Sequence, residues 1–129
     1  SKTYLKWCEE NFKINQLRTK HEVLRADVMK HLTFDKTLHD IIIADPPTYS
    51  NSHSRDSDWD VQRDHVELIE ACAQKLKPGG VIYFSNNFRK FKLEESLQDR
   101  FVIKNLSTKS MDLDFKGSRI HQCYLLERK

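Results

Sequence analysis

His39-Asp40-Ile41-Ile42-Ile43-Ala44 runs directly into Asp45-Pro46-Pro47-Thr48-Tyr49. The first six residues are a β-branched run with apolar groups on both faces, the pattern of a central parallel strand covered by helices on each side. The prolines stop it, since each fixes φ and lacks the N–H that a ladder needs. Ligands of parallel sheets gather beyond the carboxyl ends of the strands, so the turn at Asp45 is the first place to look for a site. The carbonyls of Pro46 and Pro47 and the Asp45 carboxylate are rigid acceptors there, suited to the edge of a nucleobase. Tyr49 supplies an aromatic face for a base taken out of its stack. An isolated Asp-Pro-Pro more often does no more than end a strand; its place after a buried strand favours the site.

Downstream, residues 48–60 are polar and aromatic without periodicity, a loop longer than a plain connection needs and the best position for a lid. Val61, His65, Leu68, Ile69, Cys72 and Leu76 recur at helical spacing, with Pro78-Gly79-Gly80 ending that helix. Val81 to Ser85 reads as a second buried strand, Lys92 to Asp99 as a short helix, and Phe101 to Leu106 as a strand. Ile120 to Glu127 is a last strand able to pair with it as a hairpin. Upstream, Leu5, Cys8 and Phe12 mark an amphipathic helix from Thr3 to about Asn15. His21 to Ala26 reads as a short strand ending at Asp27, and Val28 to Leu32 as one helical turn. Strands alternating with helices imply parallel βαβ units closed by one antiparallel pair, an α/β class in a single domain over 1–129. The strand-end rule then picks out Asp27, Asp45 to Tyr49, and Asn86-Asn87-Phe88.

Apolar types make up 38% of the 129 residues, enough for one core. A net charge of +3 permits a phosphate-bearing partner without demanding one. The three cysteines, Cys8, Cys72 and Cys123, are far apart and odd in number, against a disulfide framework and against a metal site. No apolar run reaches membrane-spanning length, so no membrane partner is expected and a soluble, cytoplasmic chain is.

Asp45-Pro46-Pro47-Thr48-Tyr49 resembles the acidic-Pro-Pro-aromatic motif of class I methyltransferases that modify nucleic-acid bases. More narrowly, four stretches are similar to the guanine-N7 methyltransferase half of the bifunctional 23S ribosomal RNA guanine N2/N7 methyltransferases. They are Thr3-Tyr4-Leu5-Lys6-Trp7 with Asn11-Phe12 and Asn15, Asp45 to Asn51, Asp60-Val61-Gln62-Arg63-Asp64-His65, and Phe84-Ser85-Asn86-Asn87. Ile120-His121-Gln122-Cys123 also fits, so the resemblance follows the whole chain in order. It implies the C-terminal portion of a Rossmann-like class I methyltransferase domain, with a mostly parallel sheet and a C-terminal antiparallel strand pair. It implies S-adenosyl-L-methionine as cofactor, 23S ribosomal RNA as partner, and methylation of a guanine, at N7, by the intact protein. By the same match Asp27 would accept from the adenine amine of the cofactor, whereas the residues alone read it equally as a helix N-cap. Asp45, Pro46, Pro47 and Tyr49 would form the catalytic wall, with Asp45 near both the methionine end of the cofactor and the base. A rival reading is a non-catalytic RNA-binding or interaction module that keeps the fold.

The chemistry asks little of a side chain. A sulfonium leaving group needs the attacking nitrogen aligned with its methyl carbon. Guanine N7 has a lone pair and no proton to lose, so a carboxylate would serve by stabilising the charge that develops on the ring. For an exocyclic amine, Asp45 and the Pro46 carbonyl would instead accept its N–H bonds, and the motif leaves both targets open. A cysteine nucleophile is disfavoured, because no cysteine adjoins a strand-end loop. Phe88-Arg89-Lys90-Phe91-Lys92 mixes rings and cations at the ligand edge, which suits RNA through Phe88, Arg89, Lys90 and Lys92. Arg55, Arg63, Lys116 and Arg119 extend that basic surface. His65 and Asp64 read either as holders of the 48–60 loop or as a surface pair, and His121 as structural.

Members of the resembled family bind the methionine part with a Gly-rich turn after their first strand and the ribose with an acid after their second. Gly79, Gly80 and Gly117 are the only glycines and follow no early strand. Matched on the first helix, Ser1 falls just after the ribose acid. The expectation is a chain that alone binds the cofactor weakly or not at all and is inactive. Its strand at 41–44 would be an open apolar edge, covered by the 21–26 strand or, more favourably, by a second copy in a homo-oligomer.

Overall fold

The computed structural model describes residues 2–17, 21–50, 58–111, 113–115 and 120–129. The isoleucine run forms β1 (His39–Ala44), which pairs in parallel with β4 (Leu76–Asn86) from Ile41 opposite Val81 to Ala44 opposite Phe84. Between them lie a two-residue ladder, β2 (Tyr49–Ser50) antiparallel to β3 (Trp59–Asp60), and helix α3 (Val61–Ala73). After β4 come a 3-10 turn at Glu95–Asp99, β5 (Phe101–Asn105), a second 3-10 turn at Leu113–Phe115 and β6 (Gln122–Arg128). The sheet order is β1-β4-β6-β5, with β6 antiparallel to both neighbours, so the expected terminal hairpin is present. Helices α1 (Lys2–Ile14) and α2 (Val28–Phe34) precede the sheet.

Helix α3 covers one face. Its Val61, His65, Leu68, Ile69 and Cys72 are buried, and they pack on Ile82 and Phe84 of β4 and Leu126 of β6. The N-terminus of α3 is closed reciprocally: the Asp60 carboxylate accepts from Gln62 N–H and Arg63 N–H, while Asp64 accepts from Asp60 N–H at 2.9 Å. Such closure satisfies donors that a first turn otherwise leaves orphaned.

Several sequence expectations need correcting. Residues 21–27 form no strand, because a strand exists by its ladder and no described strand lies beside them. They do not move in to cover β1. That strand is the apolar edge expected of it: Ile42 packs on the core, but Ile41 and Ile43 stay 59% and 76% exposed. Likewise α1 buries none of its residues, although Leu5, Cys8 and Phe12 follow the expected spacing. Helix α3 stops at Ala73 with Gln74 as C-cap, three residues before Leu76, which belongs to β4. Pro78-Gly79-Gly80 thus lies within β4, where the register against β1 shifts and Gly79 takes φ +78°. Gly80 is needed for close approach, since a Cβ there would stand 3.0 Å from the carbonyl oxygens of His39 and Asp40. The helix expected from Lys92 is only the 3-10 turn. No helix among the described residues is long and apolar enough to cross a membrane, and none of their His, Cys, Asp and Glu side chains group in threes able to hold a metal ion.

Candidate functional site

At the carboxyl end of β1 the chain opens into a cavity of about 660 Å³. Ile42, Ala44, Asp45, Pro46 and Pro47 form one wall, the 25–29 segment with Leu32 a second, and Trp59, Leu68 and Cys72 the floor. Asp45, at the end of β1, and Asp27, which ends no strand, lie 18 positions apart in the numbering and share this lining. Asp27 is the N-cap of α2, where its carboxylate accepts Lys30 N–H at 3.1 Å, and it also faces the cavity.

Asp45 is oriented from the neighbouring strand. Because Ala44 stands beside Phe84, the next residues are also neighbours, and Ser85 Oγ donates to Asp45 Oδ1 at 2.7 Å. The prolines behave differently from each other. Pro47 O is occupied by Trp59 Nε1–H at 2.8 Å, so it is a tether rather than an acceptor offered to a ligand as expected. Val61 N–H donates to Thr48 O at 3.0 Å, and the β2–β3 ladder adds two residue pairs to the same junction. Together these bonds tie the Asp-Pro-Pro turn to the start of α3. Of the 48–60 stretch expected to form a lid, the two ends pair in this ladder; residues 51–57, with Asn51 and Arg55, lie outside the described residues.

Tyr49 stands apart from the cavity lining. It is 63% exposed on β2, and its ring meets Phe88 edge-on with centroids 6.4 Å apart. Phe88 is partly buried, while Arg89, Lys90 and Lys92 are exposed in the segment leaving β4. The structure thus separates the expected site into a cavity containing Asp27, Asp45, Pro46 and Pro47 and an aromatic and basic ledge containing Tyr49, Phe88, Arg89, Lys90 and Lys92. Arg63 does not extend this ledge as expected. Its guanidinium is held by Asp64 at 2.7 Å and by the Asp58 carbonyl. Lys116 and Arg119 lie outside the described residues.

His65 is neither a surface partner nor a holder of the 48–60 loop. It is 1% exposed, its Nδ1–H points at the Val61 and Gln62 carbonyls at 3.0 Å, and Nε2 accepts Glu94 N–H at 3.1 Å. Burial pushes its pKa below the ordinary imidazole value, so the ring is a neutral structural group. Its place among Val61, Leu68, Ile69 and Cys72 in the helical repeat was the available signal. Cys72 adjoins no strand-end loop; it is a buried residue of α3 that also lines the cavity. Burial pushes its thiol up to about 11, so it offers an apolar wall and no thiolate. His121 lies just before β6 and meets Ser110 Oγ at 3.2 Å. Trp59, which holds the turn through Pro47, carries no signal in the sequence, and Ser85 falls in the Phe84-Ser85-Asn86-Asn87 stretch without a role assigned to it.

No family model matches the chain. Among characterised sequences it is 46% identical over 125 residues to the ribosomal RNA large subunit methyltransferase K/L of Hahella chejuensis, and 44% identical over 128 residues to that of Pseudomonas putida. These alignments take in 96% and 98% of the chain but span only 17% and 18% of the relatives. Among solved structures, SMU.776 complexed with SAH superposes with a TM-score of 0.65 at 19% identity, covering 90% of this chain and 34% of that one. The SAM-dependent methyltransferase from Agrobacterium tumefaciens gives 0.64 at 17% identity, covering 100% of this chain and 46% of that one. The chain therefore aligns with one segment of the ribosomal RNA large subunit methyltransferases K/L, and its fold is similar to part of each of these two solved structures.

Proposed function

We propose that this chain is the C-terminal portion of a methyltransferase domain whose intact enzyme transfers a methyl group from S-adenosyl-L-methionine to a guanine of 23S ribosomal RNA, at N7. One observation carries the reading: the Asp45-Pro46-Pro47 turn sits at the end of β1 on the same cavity as Asp27, in a chain 46% identical to a segment of a ribosomal RNA large subunit methyltransferase.

The cavity suits the adenosine and sulfonium parts of that cofactor. About 660 Å³ is a small-molecule volume, its walls at Val28, Met29, Leu32 and Ile42 are apolar, and Asp27 and Asp45 add two carboxylates where a cation and an exocyclic amine would lie. Asp27 would hold the adenine amine, and Asp45 would face the sulfonium. When bound, the cofactor supplies an activated methyl carbon. The protein's part is to align the base with it. Ser85 holds the Asp45 carboxylate in one orientation, and Trp59 fixes the turn through Pro47. As positive charge builds on the guanine ring, the nearby carboxylate stabilises it. No proton has to leave N7, and among the described residues no histidine lines the cavity. Tyr49 and Phe88 offer ring faces to the unpaired base, and Arg89, Lys90 and Lys92 meet its phosphates.

Asp45→Ala in the intact enzyme should abolish transfer of labelled methyl to 23S ribosomal RNA and leave the far-ultraviolet dichroism unchanged. Near-normal turnover in that variant would remove Asp45 from the site. Aniline cleavage of the product RNA after borohydride reduction reports N7 methylation; methylated RNA that resists cleavage would move the target to an exocyclic amine.

A further inference from the structure

A second polar network lies outside the cavity and shapes the segment that leaves β4. The Gln62 side chain makes a two-point bond to the Lys92 backbone: Nε2 donates to Lys92 O, and Lys92 N–H donates to Oε1, each at 2.9 Å. From β6, Gln122 Nε2 donates to the carbonyls of Phe91 at 3.0 Å and Phe88 at 3.3 Å. Its own Oε1 accepts Tyr124 OH at 2.7 Å, which fixes the direction of the amide. At the start of the segment Asn86, fully buried, accepts Phe88 N–H at 3.0 Å. At its end His65 accepts Glu94 N–H at 3.1 Å.

Four side chains from α3, β4 and β6 therefore grip the backbone of residues 88, 91, 92 and 94. A connection that only had to reach the next strand could satisfy these groups with water. What the grip fixes instead is the side chains between the anchored positions. Phe88 is held edge-on to Tyr49, and Arg89, Lys90 and Lys92 are exposed and make no ion pair among the described residues. Free cations beside paired rings suit a single-stranded nucleic acid, whose bases stack and whose phosphates need counter-charge. A segment already ordered also avoids the entropy loss that a mobile one would suffer on binding.

We infer that Gln62, His65 and Gln122 are positioning residues that pre-shape residues 88–94 into a platform for an unpaired base of RNA and its flanking phosphates. This rests on the proposed reading of the chain as part of an RNA methyltransferase. Gln62 touches no RNA in this arrangement; it acts through the backbone of Lys92 and so through the placing of Phe88.

The test is a double-mutant cycle on this chain, with binding of an RNA hairpin that carries an unpaired guanine read by fluorescence anisotropy. Phe88→Ala should weaken binding about tenfold, as loss of one base–aromatic stack does. Gln62→Met, which keeps the length of the side chain and removes both bonds, should weaken it severalfold. The double variant should bind no worse than Phe88→Ala alone to within about twofold, because the two changes remove the same interaction. A merely structural glutamine would give additive losses. Gln122→Met paired with Phe88→Ala reads the same coupling from the other side of the segment, should Gln62→Met fold poorly. Additive effects in both cycles would overturn the positioning role and leave RNA binding at this edge intact. Unchanged binding by Phe88→Ala, or no binding by the parent chain, would overturn the platform together with the RNA reading of the edge.

Discussion

Trp59→Phe isolates the tether of the Asp-Pro-Pro turn. The indole is 8% exposed, lines the cavity and donates from Nε1 to Pro47 O at 2.8 Å. Phenylalanine keeps an aromatic ring at this position and removes the donor. Pro47 O then loses its partner in a partly buried setting, and leaving such a carbonyl unpaired costs about 1–3 kcal/mol. The remaining bonds of the junction, Val61 N–H to Thr48 O and the β2–β3 ladder, are untouched, so the loss stays local. For a chain of this size about 2 kcal/mol corresponds to a midpoint lowered by roughly 6–10 °C. Thermal melts followed by far-ultraviolet dichroism check this on the chain. In the intact enzyme the turn also carries Pro46 and adjoins Asp45, and misplacing a reacting group by about 1 Å can cost roughly a hundredfold in rate. The variant should therefore lose methyl transfer more than its stability loss explains at a temperature where it is fully folded. A midpoint within about 1 °C of the parent together with full turnover would refute the tether and reduce the Trp59–Pro47 bond to an incidental one.

Acid should destabilise the chain through His65. Its folded pKa lies below the ordinary 6.5 because of burial, partly offset by the Gln62 and Val61 carbonyls and by Glu94. Its contribution is thus fully present above pH 6.5 and is lost as pH falls below that value toward the folded pKa; urea midpoints from pH 7.5 to 5 would show the decline, and a His65→Gln variant with the same decline would assign it elsewhere. Replacing Arg89, Lys90 and Lys92 together should flatten the salt dependence of RNA binding, by roughly 0.7 in the log–log slope for each phosphate left without its cation, and an unchanged slope would place the RNA elsewhere. The isolated 129-residue chain should self-associate through the open edge of β1, and Ile43→Lys should suppress this, since a charge on an exposed edge blocks pairing; sedimentation showing a monomer at high concentration would exclude it.

Elements with a local cause were legible from the residues. The isoleucine run became β1 with the bounds expected of it, and the apolar repeat from Val61 became α3. The repeat overran into Leu76 because a buried strand residue and a buried helix residue look alike in one dimension; only the cap at Gln74 separates them. The 21–26 segment failed for a related reason. β-branched and apolar residues permit a strand, but the ladder makes one, and no described strand lies beside these residues. The open edge of β1, expected where a neighbouring strand is missing, is the same absence seen from the other side.

The site divides along that line too. Asp45 could be found because a parallel strand delivers its end to the ligand edge, whereas Asp27, sought at the end of a strand that does not form, reaches the same lining as the N-cap of α2. Their supports could not be found, since each depends on register. Ser85 meets Asp45 only because Ala44 stands beside Phe84; moving β4 by one residue would send the hydroxyl to the opposite face and leave a buried side chain in its place. Tyr49 could not be placed by parity either. It follows Pro47 by two positions, yet on β2 it is Ser50, and not Tyr49, that lines the cavity. The tyrosine is thereby released toward Phe88, so a motif that reads as one wall in sequence serves two places in the fold: acceptors over the cavity and a ring on the ledge beside it. On the proposed reading a cofactor lies on one side and a base on the other, and the alternation of a two-residue strand provides that division.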